Sequence, residues 1–215
     1  MTDDPHAGGG LVTAGTPLST AEAALVCVHG RGSSAESIVT AVDGLARSGV
    51  GLLAPQADQD TWYPNGFMDP VETNEPRRTS ALRAVDRAVT RVTESGVPRE
   101  RVLLLGFSQG ACIACDYAAR NPTRYGGLAA LSGGLIGERL PDDYAGDLED
   151  TPVFFGCSEG DSWIPEERVH ESAAVFEGLN ADVTTRIYDG DDHRINGDEM
   201  SVLDGMVAAL VEDDA

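Results

Sequence analysis

The sequence predicts an α/β architecture: a mostly parallel central sheet flanked by helices, with no large lid. Three observations carry this prediction. Short apolar runs alternate with helix-period segments along the chain, the order expected of strands and crossover helices in one layered sheet. The runs are continuous rather than alternating, as in Ala23-Ala24-Leu25-Val26-Cys27-Val28, which is the pattern of strands covered on both faces. Residues 102–105 (VLLL) run straight into Gly106-Phe107-Ser108-Gln109-Gly110 and then into a helical pattern, giving strand, sharp turn and helix. With 215 residues and 41% hydrophobic content, the chain can bury one good core, so a single domain over 1–215 is expected.

The elements follow in order. Residues 1–22 are rich in Gly, Thr and Pro, with a short edge strand expected near 10–14 and a turn at Gly15-Thr16-Pro17. Ala23–Val28 is a buried strand ending in His29-Gly30-Arg31-Gly32-Ser33-Ser34. A helix over 35–47 follows, with Ser33 or Ser34 as N-cap, and then a strand over 50–54. Residues 55–76 are irregular, carry four prolines and hold the one dense aromatic group, Trp62, Tyr63 and Phe67. Long loops of this kind usually carry function. A helix over 77–95 is stopped by Gly96-Val97-Pro98; strand 101–105 and helix 109–121 surround the Ser108 turn. Gly127–Leu131 reads as a strand, 135–150 as a polar connection, 151–156 as a strand and 165–179 as a helix. Strand 183–188 and helix Gly197–Val211 close the chain.

Ligands in such sheets sit at the carboxyl ends of the strands. The motif at Ser108 is a G-x-S-x-G turn with its demanded context on both sides. Gly106 and Gly110 allow close backbone packing, Ser108 is lifted above the sheet edge, and the Gln109 amide opens a helix facing a developing oxyanion. A serine hydroxyl needs a base and an orienting acid, expected in the chain order Ser, acid, His. Two histidines follow Ser108. His170 lies mid-helix beside Glu167 and Glu171 and reads as part of a solvated face; His193, in Asp189-Gly190-Asp191-Asp192-His193 just past the last strand, is the expected base. Asp161, in Cys157-Ser158-Glu159-Gly160-Asp161-Ser162-Trp163, is the expected acid, with Glu159 its nearest rival. Asp189, Asp191 and Asp192 are too close in sequence to brace the imidazole from behind. The second oxyanion donor is expected from the Arg31 amide. Two readings stay open for the Arg31 guanidinium: it holds an anionic substrate group or pairs with an acidic loop. Trp62, Tyr63, Phe67, Met68 and Trp163 are the expected apolar walls of a pocket, with ordinary loop packing as the alternative.

Composition sets further bounds. Asp and Glu number 36 against 15 cations, all of them Arg, for a formal charge of -21. Such a chain repels nucleic acid, anionic lipid and itself in dilute buffer. In molar salt the Debye length falls to about 3 Å, so a salt-rich cytoplasm suits it. Apolar runs long enough to span a membrane are absent, and Met1-Thr2-Asp3-Asp4-Pro5 lacks the features of a secretory signal, so a cytoplasmic location is expected. Cys112 and Cys115 fall inside a helix rather than at its N-terminus, where a thiolate would be stabilised. Together with Cys27 and Cys157 they read as small buried hydrophobes, and no Cys/His spacing suggests zinc. No metal or cofactor is expected, and a homodimer is compatible with the chain.

The stretches HGRGSSAES, APQADQDTWYP, GFSQGA, GDSWIP and DGDDH resemble the phospholipase/carboxylesterase family of α/β-hydrolases, relatives of acyl-protein thioesterases, from about Leu25 to the C-terminus. The resemblance implies cofactor-free hydrolysis of carboxylic esters or thioesters by Ser108, Asp161 and His193, with the Arg31 and Gln109 amides as oxyanion hole. The chain departs from the thioesterase pattern, which usually has an apolar residue at the position of Arg31 and an Asp at that of Ser33. The HGRG and TWYP forms are closer to a branch sometimes labelled dienelactone hydrolase-like. Dienelactone hydrolases proper carry a cysteine where Ser108 stands. The expected substrate is therefore a small-molecule ester with a short to medium acyl or aromatic group. A protein or lipid deacylase and a non-catalytic binder on the same fold are the alternatives.

Overall fold

The computed structural model describes residues 4–141 and 144–211. Residues 1–3 of the N-terminal stretch read above, 142–143 of the polar connection and 212–215 lie outside the described residues.

Seven strands form one sheet in the order β1-β3-β2-β4-β5-β6-β7. They are β1 (Leu11–Gly15), β2 (Ala23–Val28), β3 (Val50–Pro55), β4 (Val102–Phe107), β5 (Gly127–Leu131), β6 (Pro152–Ser158) and β7 (Asp182–Tyr188). β1 pairs antiparallel with β3, and every other pairing is parallel. Among the described residues the α-helices are α1 (Ala35–Ala41), α2 (Arg77–Glu94), α3 (Gln109–Arg120), α4 (Glu166–Gly178) and α5 (Gly197–Val211).

The period of two along each central strand divides the core between the two faces of the sheet. In β4, Val102 and Leu104 join the core beneath α2, α3 and α4, whereas Leu103 and Leu105 join the one beneath α1 and α5. This two-sided burial explains the continuous apolar runs of β2, β3 and β5, in which every residue is buried. The edge strands differ. β1 and β7 alternate between exposed and half-buried residues, because each lacks a neighbour on one side and turns one face to water. The expectation of continuous apolar strands therefore fails at both edges.

A second difference lies in α1. The helix expected over 35–47 ends at Ala41, and Asp43–Leu45 forms a separate 3₁₀ turn that buries Leu45. Val42-Asp43-Gly44 is a run of weak helix formers, and it yields to the packing of Leu45. Ser34 is the N-cap, its hydroxyl accepting from the Ser37 amide at 3.2 Å.

α3 is buried along nearly its whole length, between the sheet and α2. The facing side of α2 presents Ala81, Ala84, Val85, Ala88 and Val89, small side chains at helical spacing that admit close approach. Asp116 of α3, fully buried, meets Arg78 of α2 at 2.5 Å and Arg120 at 2.7 Å. One carboxylate thus offsets guanidinium charge drawn from both helices.

At the start of α5, Asn196 and Glu199 form a reciprocal cap. Asn196 Oδ1 accepts from the Glu199 amide at 2.9 Å, and Glu199 Oε2 accepts from the Asn196 amide at 2.8 Å. Glu199 is buried against Gly156 of β6, where a Cβ would lie 2.3 Å from Glu199 Oε1. Burial pushes this carboxyl up from 4.5 to about 7. The folded state therefore favours the protonated form, a stabilisation complete below pH 4.5 and lost as pH rises through about 7. Glu199→Gln, which keeps the shape without the charge, is expected to hold about 3 kcal/mol more stability than the parent at pH 8, and no advantage at pH 4, by urea titration in fixed KCl.

Candidate active site

Ser108 stands at the junction of β4 and α3 with φ 55° and ψ −123°, a left-handed conformation that a non-glycine residue adopts only under constraint. The Ser108 amide donates to Leu131 O of β5 at 2.9 Å, and Ser108 O accepts from the Cys112 amide at 3.1 Å. The neighbouring glycines meet the stated need for space. A Cβ on Gly110 would lie 2.0 Å from Val28 O, and one on Gly106 would lie 2.4 Å from Gly110 O. Ser108 occupies the N-cap position of α3 without capping it, so its hydroxyl is available to other groups.

The two loops that meet it come from adjacent strands. β6 and β7 pair in register from Pro152 with Asp182 to Ser158 with Tyr188. The pairing continues past the strand ends: the Glu159 amide donates to Tyr188 O and the Gly160 amide to Gly190 O, both at 2.9 Å. Ser158 Oγ then donates to Asp192 O at 2.7 Å. These bonds bring Asp161 and His193 together although they lie 32 positions apart in the chain. Asp161 Oδ2 lies 2.7 Å from His193 Nδ1, and His193 Nε2 lies 2.8 Å from Ser108 Oγ.

Asp161 Oδ1 accepts from the Trp163 amide at 2.9 Å and the Ile164 amide at 3.2 Å. Burial by itself would raise this carboxyl, but the bonds from His193 and the two amides outweigh it and hold the group below its ordinary value. An ionised Asp161 requires the proton on Nδ1, which leaves Nε2 as acceptor for the Ser108 hydroxyl. The rival carboxylates Glu159, Asp189, Asp191 and Asp192 are all exposed, and Asp192 pairs instead with Arg194 at 2.6 Å. His170 is exposed and bonded to Glu166 at 3.2 Å, on the solvated face expected of it.

The HGRG loop abuts the serine: a Cβ on Gly30 would lie 3.4 Å from Ser108 Cβ. Arg31, Ser108, Gln109 and His193 line one cavity of about 630 Å³, together with Tyr63, Phe67, Trp163, Cys112 and Ile164. Gln109 is the first residue of α3, so its N–H has no acceptor within the helix. Among the described residues the Arg31 side chain pairs with no acidic loop, the second of the two readings. Its guanidinium donates to Pro64 O at 2.8 Å and Asn65 O at 2.6 Å, and lies 5.9 Å from the centroid of the Tyr63 ring.

Two expected wall residues are corrected. Trp62 is fully buried and lines no part of the cavity; its indole N–H donates to His29 O at 2.8 Å. Met68, 37% exposed, is not among the residues that line the cavity. Hydrophobicity within an irregular segment does not reveal which side chains turn inward, and an indole nitrogen able to reach a carbonyl favours burial.

The structure also reveals fastenings that sequence reasoning missed. Gln109 Oε1 accepts from the Trp62 amide and its Nε2 donates to Tyr63 O, both at 2.8 Å. His29 Nε2 accepts from the Ala57 amide at 3.1 Å, so its proton sits on Nδ1, which donates to Gly30 O at 2.8 Å. Burial lowers the pKa of His29 and keeps it neutral. His6 ties down the same segment, accepting from the Asp58 amide at Nδ1 and donating from Nε2 to Trp62 O. A polar residue next to a long irregular segment was the available signal; its partners were not.

All four cysteines are buried and free. Burial raises Cys27 and Cys157 to about 12 and Cys112 to about 11, so none offers a thiolate at neutral pH. Among the described residues no cluster has the makings of a metal site, and no helix is long and apolar enough to cross a membrane.

The family model for phospholipase/carboxylesterase matches residues 14–210. The chain belongs to the phospholipase/carboxylesterase family. A solved phospholipase/carboxylesterase from Dyadobacter fermentans superposes with a TM-score of 0.90 at 39% identity, covering 94% of this chain and 97% of the other. Acyl-protein thioesterase 1 of Gibberella zeae is 25% identical over 209 residues, covering 86% of this chain and 89% of its own. Acyl-protein thioesterase 1 of Kluyveromyces lactis is 30% identical over 128 residues, and there the match spans 58% of this chain and 56% of the relative. These relatives are hydrolases of esters and thioesters, and the seven-stranded sheet with its flanking helices is the α/β-hydrolase fold.

In this family member the Gln109 side chain joins α3 to the irregular segment. Gln109→Ala strands a buried N–H and a buried carbonyl, and is expected to cost about 2 kcal/mol of stability, with faster hydrogen exchange at the Trp62 amide.

Proposed function

We propose that the protein is a serine hydrolase that cleaves small carboxylic esters through an acyl-enzyme intermediate. One observation carries this reading: the unbroken relay from Asp161 Oδ2 to His193 Nδ1 at 2.7 Å and from His193 Nε2 to Ser108 Oγ at 2.8 Å. His193 Nε2 takes the hydroxyl proton as Ser108 Oγ attacks the ester carbonyl. The Asp161 carboxylate balances the imidazolium, and the Arg31 and Gln109 amides hold the oxyanion. The imidazolium passes its proton to the departing alkoxide. Water, deprotonated by the same imidazole, then attacks the acyl-enzyme, and Ser108 Oγ regains a proton as the acid leaves.

Tyr63, Phe67 and Trp163 form the apolar wall for the ester, in a cavity whose 630 Å³ suits a small-molecule ligand. The net charge of -21 supports a salt-rich cytoplasm as the working medium. The thioesterase relatives favour a second reading, a deacylase acting on long acyl chains. A p-nitrophenyl ester series in molar KCl separates the two, since a short-ester hydrolase loses kcat/KM as the acyl chain lengthens and a deacylase gains it.

Ser108→Ala is expected to lower kcat by at least about 10⁴-fold with an unchanged circular dichroism spectrum. A fluorophosphonate should label the parent at Ser108 and leave the variant unlabelled.

A further inference from the structure

We propose that the Arg31 guanidinium selects esters that carry a carboxylate, holding that second group in the cavity while Ser108 acts on the scissile carbonyl. The inference rests on the hydrolase reading above and adds its substrate class. In a chain with 36 acidic residues, at least eight of the described arginines reach a carboxylate. Arg31 reaches none among the described residues, although it lines the same cavity as Ser108. Its partners are the carbonyls of Pro64 and Asn65, which fix its direction and leave its positive charge without a counter-ion among the described residues.

A guanidinium has five N–H donors, and these two bonds use two of them. The Nε–H and one hydrogen on each terminal nitrogen remain for a ligand. Two charge-assisted bonds and the Tyr63 ring hold the group in place, so little side-chain freedom is left to lose when an anion binds. The remaining donors suit a planar carboxylate. Asp69, also at the cavity wall, is the opposing charge; its Oδ2 accepts from the Gly66 amide at 2.7 Å, and it makes no ion pair with Arg31. At long range the charge of -21 repels any anionic ligand, so an anion preference would have to come from a local cation. Arg31 is that cation.

The probes are mono-p-nitrophenyl glutarate and its methyl ester, matched in length and differing in one negative charge. Assays use a fixed KCl concentration at which circular dichroism reports folded protein, with the Ser108→Ala rate subtracted as background. The parent is expected to prefer the half-ester at least fivefold in kcat/KM, and free glutarate to compete with the methyl ester. In Arg31→Gln the ratio between the two esters should fall to about 1, and Arg31→Lys should retain part of it. If Arg31 served only to clip the loop at Pro64 and Asn65, both esters would lose equally and the ratio would survive, which overturns the inference. A parent with no preference and no competition by glutarate overturns it without any variant having to fold. A parent that turns over neither ester and takes no fluorophosphonate at Ser108 overturns the hydrolase reading itself, and this inference with it.

Discussion

Steric exclusion at one turn governs the arrangement of this molecule. Between β4 and α3 the chain reverses so tightly that a Cβ on Gly110 would lie 2.0 Å from a carbonyl oxygen of the neighbouring strand β2. Gly133, after β5, is equally confined, with its missing Cβ only 2.4 Å from the Ala111 side chain. The backbone must therefore pass through a left-handed residue at Ser108, and a sheet with helices on both faces is rigid enough to hold it there. Strain at the serine is the physical counterpart of its exposure. Its hydroxyl, unused as a helix cap, is directed to the imidazole.

Around that turn, polar side chains do the work that regular secondary structure does elsewhere. The segment between β3 and α2 has only two short 3₁₀ turns of its own, Asp58–Asp60 and Val71–Asn74. Its backbone groups are met by His6, His29, Gln109, Arg31 and Asn74, several of them buried. Unmet buried backbone groups would cost about 1–3 kcal/mol each, so this lacing is what allows an irregular segment to form a cavity wall. The same economy of contacts explains why Trp62 turns inward: its indole finds a carbonyl at the end of β2.

Charge is handled at two depths. Most acidic residues stay at the surface, where salt screens them, while Asp116 is drawn inside and held between Arg78 and Arg120. Arg31 is the exception that matters for the site, a cation tethered to neutral oxygens beside the serine.

Much of this was legible from residue order. Continuous apolar runs identified the central strands, the G-x-S-x-G context located Ser108, and the positions of Asp161 and His193 just past consecutive strands nominated them over nearer carboxylates. Local sequence sufficed there because side-chain period, glycine sterics and strand-end placement are short-range properties of the chain. Tertiary structure alone decided the rest. The half-exposed pattern of β7 follows from its position at a sheet edge, the early end of α1 from the burial of Leu45, and the inward turn of Trp62 from a carbonyl 33 residues earlier. It likewise decided that Arg31 would face Pro64 and Asn65 rather than an acidic loop. Each of these depends on a partner far along the chain, and a side chain's type and neighbours in sequence carry no record of which distant oxygen or nitrogen it will meet.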